Sequence, residues 1–118
     1  MAYSQIERDT GLWYSAEYST FSISDEAGEY QLTAAWYSGD AGNALQNQGW
    51  SATGQRFSTW DNDNDGCGAG YNCGDGHNAG WWYACCSQSL VNQDGLAVWS
   101  STDQGYDVSV TRMFVKVY

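Results

Sequence analysis

Three aspartates at every second position, Asp61, Asp63 and Asp65, run straight into Gly66. Alternate side chains of a tightly turning loop converge on one point, and Ca²⁺ takes several hard oxygens at about 2.3–2.6 Å. The spacing matches the first half of an EF-hand loop, but that loop needs a bidentate glutamate at its twelfth position and a helix on each side. The twelfth residue here is Asn72, and neither flank is an amphipathic helix. An EF-hand is therefore excluded, while calcium is not. The competing reading is a solvated acidic turn whose Asp and Asn side chains cap their own backbone.

All four cysteines follow within the next stretch: Cys67, Cys73, Cys85 and Cys86. An even number clustered in a small acidic chain favours disulfides and an oxidising compartment. Zinc is disfavoured, because no paired C-x-x-C spacing exists and His77 is the only histidine. The residues alone leave three pairings open, including an adjacent Cys85–Cys86 bridge.

These residues need a frame. Tyr14 to Ile23 alternates as a strand, followed by a turn through Gly28, and Tyr30 to Tyr37 reads as a second strand. Gln55 to Thr59 is a short strand leading into the aspartate loop. Leu96 to Ser100 and Val108 to Tyr118 close the chain, the last with a slip of alternation near Arg112 that suggests a bulge. From Gly66 to Gly80, six of fifteen residues are glycine, so no regular element is expected there. The expected fold is mainly β with long irregular loops, α+β at most. It is a small twisted antiparallel sheet beside a calcium- and disulfide-stabilised loop subdomain. The chain reads as one domain, 1–118, with a sheet region at 12–60, the loop region at 61–95 and closing strands at 96–118.

Composition narrows the function. The 118 residues carry 14 acids against 4 bases, a formal charge of −10, with seven Trp, nine Tyr and no Pro. Such a chain repels phosphate backbones and anionic lipid, so nucleic acid and membrane insertion are excluded as partners. No apolar run approaches a membrane span, and the first residues lack the basic-then-apolar form of a signal peptide. The surplus of Trp and Tyr points to a binding surface as well as a core. One histidine, no phosphate-binding glycine motif and no carboxylate pair in an evident cleft argue against an enzyme.

Several motifs then occur in a familiar order. Phe57-Ser-Thr-Trp60 precedes the aspartate loop; Asn72-Cys73 follows it, then Gly80-Trp-Trp-Tyr83, with Cys86 thirteen positions after Cys73. Upstream stand Ala16-Glu-Tyr18-Ser-Thr-Phe21, Tyr30-Gln-Leu-Thr33 and Tyr37-Ser-Gly39; downstream, Asp94-Gly95, Val98-Trp99-Ser100 and the strand through Met113. Over about residues 12 to 118 the chain resembles the fibrinogen C-terminal domain family, which includes fibrinogen chains, ficolins, tachylectins and angiopoietins. It departs from that family in lacking an N-terminal subdomain, in having only Val91 to Gln93 where a longer pocket loop is usual, in the additional Cys67 and Cys85, in a two-residue insertion before Asn72, and in Ser87 where a histidine is common.

The resemblance implies a ligand set. Calcium would be held by the carboxylates of Asp63 and Asp65 and the backbone carbonyls of Cys67 and Ala69, with Asp61 behind them. The family disulfide maps onto Cys73–Cys86, leaving Cys67 to pair with Cys85. In the lectin members a cis peptide before the last cysteine, here Cys85–Cys86, turns backbone N–H groups toward an acetyl group. This makes His77, Cys86 and Ser87 the expected ligand contacts. The implied function is a secreted Ca²⁺-dependent lectin for acetylated sugars or glycoproteins, working as a multivalent homo-oligomer through the strands from Tyr14 to Tyr37. The alternative is a self-assembling structural or adhesive extracellular protein.

Overall fold

A computed structural model describes residues 2–8, 11–46, 50–87, 89–93, 98–99 and 108–117, with the side chains of 2–8 and 109 excepted. Its main sheet has four antiparallel strands in the order β3-β2-β1-β6. They are β1 (Ala2–Arg8), β2 (Trp13–Ile23), β3 (Leu32–Gly39) and β6 (Val108–Val115). The two-residue strands β4 (Ser89–Leu90) and β5 (Val98–Trp99) pair separately. The mainly-β expectation holds.

Strand β1 has no counterpart among the strands expected from the residues. Its alternation is weak, mixing Ala2, Ser4 and Ile6 with Tyr3, Gln5 and Glu7. It forms because β2 and β6 flank it and together satisfy its backbone on both sides, a tertiary effect that overrides local propensity. The expected bulge also moves. Arg112 pairs in step with Gln5, and the register instead shifts where Glu7 opposes Val110 and Arg8 opposes Val108, leaving Ser109 as the additional residue.

Alternation in β2 and β3 sends Ala16, Tyr18, Leu32 and Ala34 into the core, where they meet Leu45, Ala52, Cys73, Trp81, Tyr83, Leu90 and Trp99. The Tyr18 hydroxyl donates to Asn43 Oδ1 at 2.9 Å and accepts the Leu45 amide at 3.3 Å, tying the 42–46 loop to the sheet. Burial pushes the Tyr18 phenol well above its ordinary range. Trp99 Nε1 donates to the Gly42 carbonyl at 3.0 Å on the far side of the same loop. Gly39 is required where it stands: its φ is +126°, and a Cβ there would lie 2.3 Å from the Ser15 carbonyl oxygen.

The segment expected as a strand at 55–59 is extended, with only single bridges, Ser58 to Trp81 and Thr59 to Asn62. Of the strand expected at 96–100, the described residues hold β5; 94–97 and 100 lie outside them, as does Tyr118.

Candidate functional site

The loop from Phe57 to Ser87 is organised around Ser58, which is buried and exchanges backbone hydrogen bonds with Trp81 at 2.9 and 3.1 Å. Ser58 Oγ accepts the Asn64 amide at 2.9 Å, and Asn64 Nδ2 donates to the Phe57 carbonyl at 2.9 Å. The aspartate loop is thereby folded back on the segment that leads into it. Gly66 donates to the Ala84 carbonyl at 2.7 Å, bringing the end of the loop against the second cysteine pair.

Contrary to the expectation of no regular element in this glycine-rich stretch, Cys73–His77 forms a short helix, α1. Gly74 and Gly76 lower its propensity, but the ends are capped. Asn72 Oδ1 accepts the Asp75 amide at 3.1 Å, and Asn78 terminates the helix in the left-handed conformation. Asn72 with Asp75 three residues on is the signal that could have revealed this helix. Gly74 is buried so tightly that a Cβ would lie 2.7 Å from the Thr59 carbonyl carbon. The second glycine, Gly76, sits beneath Tyr71, whose hydroxyl would be 2.5 Å from a Cβ.

Two disulfides close the site, Cys67–Cys85 and Cys73–Cys86. Of the three pairings open from the residues, this is the one present, and the two bridges touch: Cys67 Sγ lies 3.6 Å from Cys73 Sγ. The sulfurs of Cys67, Cys73 and Cys86 form the one cluster of metal-ligating side chains among the described residues. Bonded as disulfides they offer no thiolate, which zinc requires.

The carboxylates are held by a threonine hydroxyl and by backbone amides. Asp61 Oδ1 accepts the Thr59 hydroxyl at 2.7 Å, and Asp63 Oδ1 accepts the Asp65 amide at 3.1 Å. Half-buried Asp65 accepts twice, from the Cys67 amide at 2.9 Å and from the Cys73 amide at 2.8 Å. A carboxylate has about four lone-pair positions, so Asp63 and Asp65 both keep capacity for a cation. Among the described hydrogen bonds none uses the carbonyl of Cys67 or Ala69. The four groups of the implied calcium shell thus fit a hard divalent ion in donor type and spare capacity.

His77 ends α1, half-buried, its ring stacked on Tyr83 at 6.0 Å between centroids and 22° between planes. Tyr83 is fully buried and donates to the Ala79 carbonyl at 2.7 Å; burial, with smaller contributions from Tyr71 and Asp65, pushes its phenol up to about 12. The Cys73–Cys86 bridge joins the start of α1 to Cys86, so His77 and Cys86 belong to one crosslinked unit. Ser87 is turned elsewhere, its hydroxyl 3.3 Å from Ser89 Oγ and accepting the Ser89 amide. The Cys85–Cys86 peptide is trans, correcting the expected cis bond. Cys86 reaches the left-handed region at φ 59°, and that turn directs the adjacent cysteines to Cys67 and Cys73 without a cis peptide.

The model of the C-terminal globular domain of fibrinogen beta and gamma chains matches residues 3–112. The chain belongs to the fibrinogen C-terminal domain family. It is 35% identical to the Homo sapiens fibrinogen gamma chain over 118 residues, covering 87% of this chain and 26% of that one. It is 38% identical to the Gallus gallus fibrinogen beta chain over 111 residues, covering 83% and 24%. The fold is that of the fibrinogen-like globe domain of human ANGPTL6, with a TM-score of 0.82, 27% identity, and coverage of 95% of this chain and 54% of that one. A lamprey fibrin D-dimer complexed with a Gly-His-Arg-Pro-amide peptide gives a TM-score of 0.84 at 23% identity, over 95% and 43%. The chain therefore spans about a quarter of its curated relatives and about half of that globe domain. Family membership extends to β1, ahead of the motifs from which the resemblance was read.

Proposed function

We propose that this chain is a secreted, calcium-binding recognition module and not an enzyme, taking acetylated sugars as ligand in a multivalent homo-oligomer. The observation that carries the reading is the Asp65 carboxylate, which accepts amides from the metal loop at Cys67 and from the helix at Cys73. Calcium bound by Asp63, Asp65 and the carbonyls of Cys67 and Ala69 would neutralise part of a −10 charge and order the glycine-rich loop that carries His77. With a trans Cys85–Cys86 peptide, the ligand contacts rest on the His77 ring and the backbone of Cys86 and Ser87 as they stand. A secreted setting accords with two disulfides and with the fibrinogen relatives.

A single shallow site binds sugar weakly, and linking several sites raises avidity by roughly 10²–10⁴. The test is a glycan array with calcium and with EDTA, beside calorimetric calcium titration. Calcium-dependent retention of N-acetylated sugars is the expected result. Calcium binding without any glycan retained would sink the lectin assignment and leave the metal loop standing.

A second reading, self-assembly as an adhesive or structural protein, is favoured by one specific observation. Among the described residues strand β6 lies at a sheet edge and exposes Val110, Met113 and Val115, with Val117 just beyond it. An exposed apolar edge strand is a template for a further strand. Light scattering at micromolar concentration, compared with a Val115→Lys variant, distinguishes a monomer from an assembly built on this edge.

A further inference from the structure

Trp36 stands in the middle of β3 with φ 60° and is 77% exposed, the most exposed tryptophan among the described residues. A bulky residue at positive φ is an outlier, and such backbone strain gathers at functional sites. The ladder remains in register on either side, Tyr18 opposite Tyr37 and Thr20 opposite Ala35. The distortion is therefore local to Trp36. At its start the outer edge of β3 is covered: Leu32 donates to the Gln55 carbonyl and Ala34 to Thr53 Oγ1.

Past that cover lies a shallow concavity of about 470 Å³, walled by Ala35, Trp36, Tyr37, Asn43 and Gln46. None of these side chains is charged, in a chain of formal charge −10. Their polar groups are nevertheless set in place. Asn43 accepts the Tyr18 hydroxyl and donates Nδ2 to Gln46 Oε1 at 3.1 Å, which holds the Gln46 amide while its Nε2 donates in none of the described bonds. Tyr37 Oη accepts the Gly42 amide at 2.8 Å and keeps its own proton to give.

We infer that this concavity is a binding site for a neutral hexopyranose ring, stacked by its C–H face on Trp36 and hydrogen-bonded through its hydroxyls to Gln46 and Tyr37. The negative face of an indole attracts C–H groups polarised by neighbouring oxygens. Uncharged donors match hydroxyls without the desolvation cost of an ion. A cationic ligand would call for a carboxylate here and an anion for arginine or lysine; neither is among the described residues that line the concavity. The site lies on β3 and the 43–46 loop, apart from the calcium loop, so it needs neither calcium nor an acetyl group and does not rest on the lectin reading above.

The experiment follows the indole N–H and backbone amide signals of the ¹⁵N-labelled chain, with the Trp36 indole assigned from Trp36→Phe. The titrant is methyl β-glucopyranoside, which has no acetyl group, in EDTA. The expected result is a saturable shift of the Trp36 signal with a midpoint on the order of 1–10 mM, as a shallow site supports. Gln46→Ala, folded as judged by an unchanged melt, should raise that midpoint about 5-fold, the loss of one hydrogen bond. A Trp36 signal that stays still up to saturating sugar, or that moves only with protein concentration because a second copy covers the face, overturns the site. N-acetylglucosamine shifts confined to His77 and lost in EDTA, with Trp36 silent, would likewise overturn it while supporting the calcium loop. Trp36 shifts with His77 silent support this site and count against the other.

Discussion

Asp65 Oδ2 accepts the Cys73 amide at 2.8 Å across eight residues of glycine-rich chain. The same carboxylate takes the Cys67 amide on its other oxygen, so one side chain fixes the entrance of the loop, the start of α1 and one cysteine of each disulfide. The aspartates that would bind metal and the crosslinks that shape the ligand loop are thus one mechanical unit. The acidic-turn reading and the calcium reading describe the same carboxylates, capping amides with some lone pairs and keeping others.

Asp63 and Asp65 should behave differently when truncated. Asp63→Ala removes an exposed carboxylate, a ligand in the proposed calcium site, that makes a single local hydrogen bond, and calorimetry should show calcium binding lost with the β-sheet circular dichroism unchanged. Asp65→Ala leaves two amides without their acceptor and should also cost about 1–3 kcal/mol of stability in calcium-free buffer, read from urea unfolding. Equal stability of the two variants in EDTA would show that the Asp65 bridge carries no structural weight.

Gly74 and Gly68 offer a matched pair. A Cβ on Gly74 would strike the Thr59 and Trp60 backbone, while one on Gly68 meets nothing within 4 Å. Gly74→Ala should therefore destabilise by about 1–3 kcal/mol, and Gly68→Ala should stay within about 0.5 kcal/mol of wild type. Thermal melts of both variants check the contrast.

Alkaline pH probes Tyr83. Burial pushes its phenol up to about 12 against 10.0 for the free group, so the native state holds the proton longer than the unfolded one. The stabilisation is complete below pH 10.0 and is lost as pH rises through about 12. Denaturant unfolding between pH 8 and 11 should show a fall above pH 10 that is smaller in Tyr83→Phe. A fall of the same size in both proteins would assign it to other groups.

The disulfides should open in sequence under a mild dithiol. Cys85 is exposed, whereas Cys73 is fully buried, so alkylation followed by peptide mapping should label Cys67 and Cys85 before Cys73 and Cys86. Removing the inner bridge by paired Cys73→Ala and Cys86→Ala substitutions should cost about 3 kcal/mol in the chain-entropy model. Labelling of all four cysteines at one rate would mean that the outer bridge gives the inner no shelter.

What the residues alone determined is local chemistry: carboxylates spaced for a hard cation, cysteines enough for two bridges, alternation strong enough to mark β2, β3 and β6. Each of these is carried by side-chain type at short separation. The tertiary structure decided everything that depends on distant partners. Strand β1 exists because β2 and β6 present their edges to it. Helix α1 survives two glycines because Asn72 caps it and Gly74 lets it lie against the Thr59 backbone. The cysteine pairing depends on the left-handed turn at Cys86, and Trp36 faces solvent because its φ is positive. Neither dihedral has a signature in the identity of Cys or Trp, which favour negative φ everywhere else, so packing alone could set them.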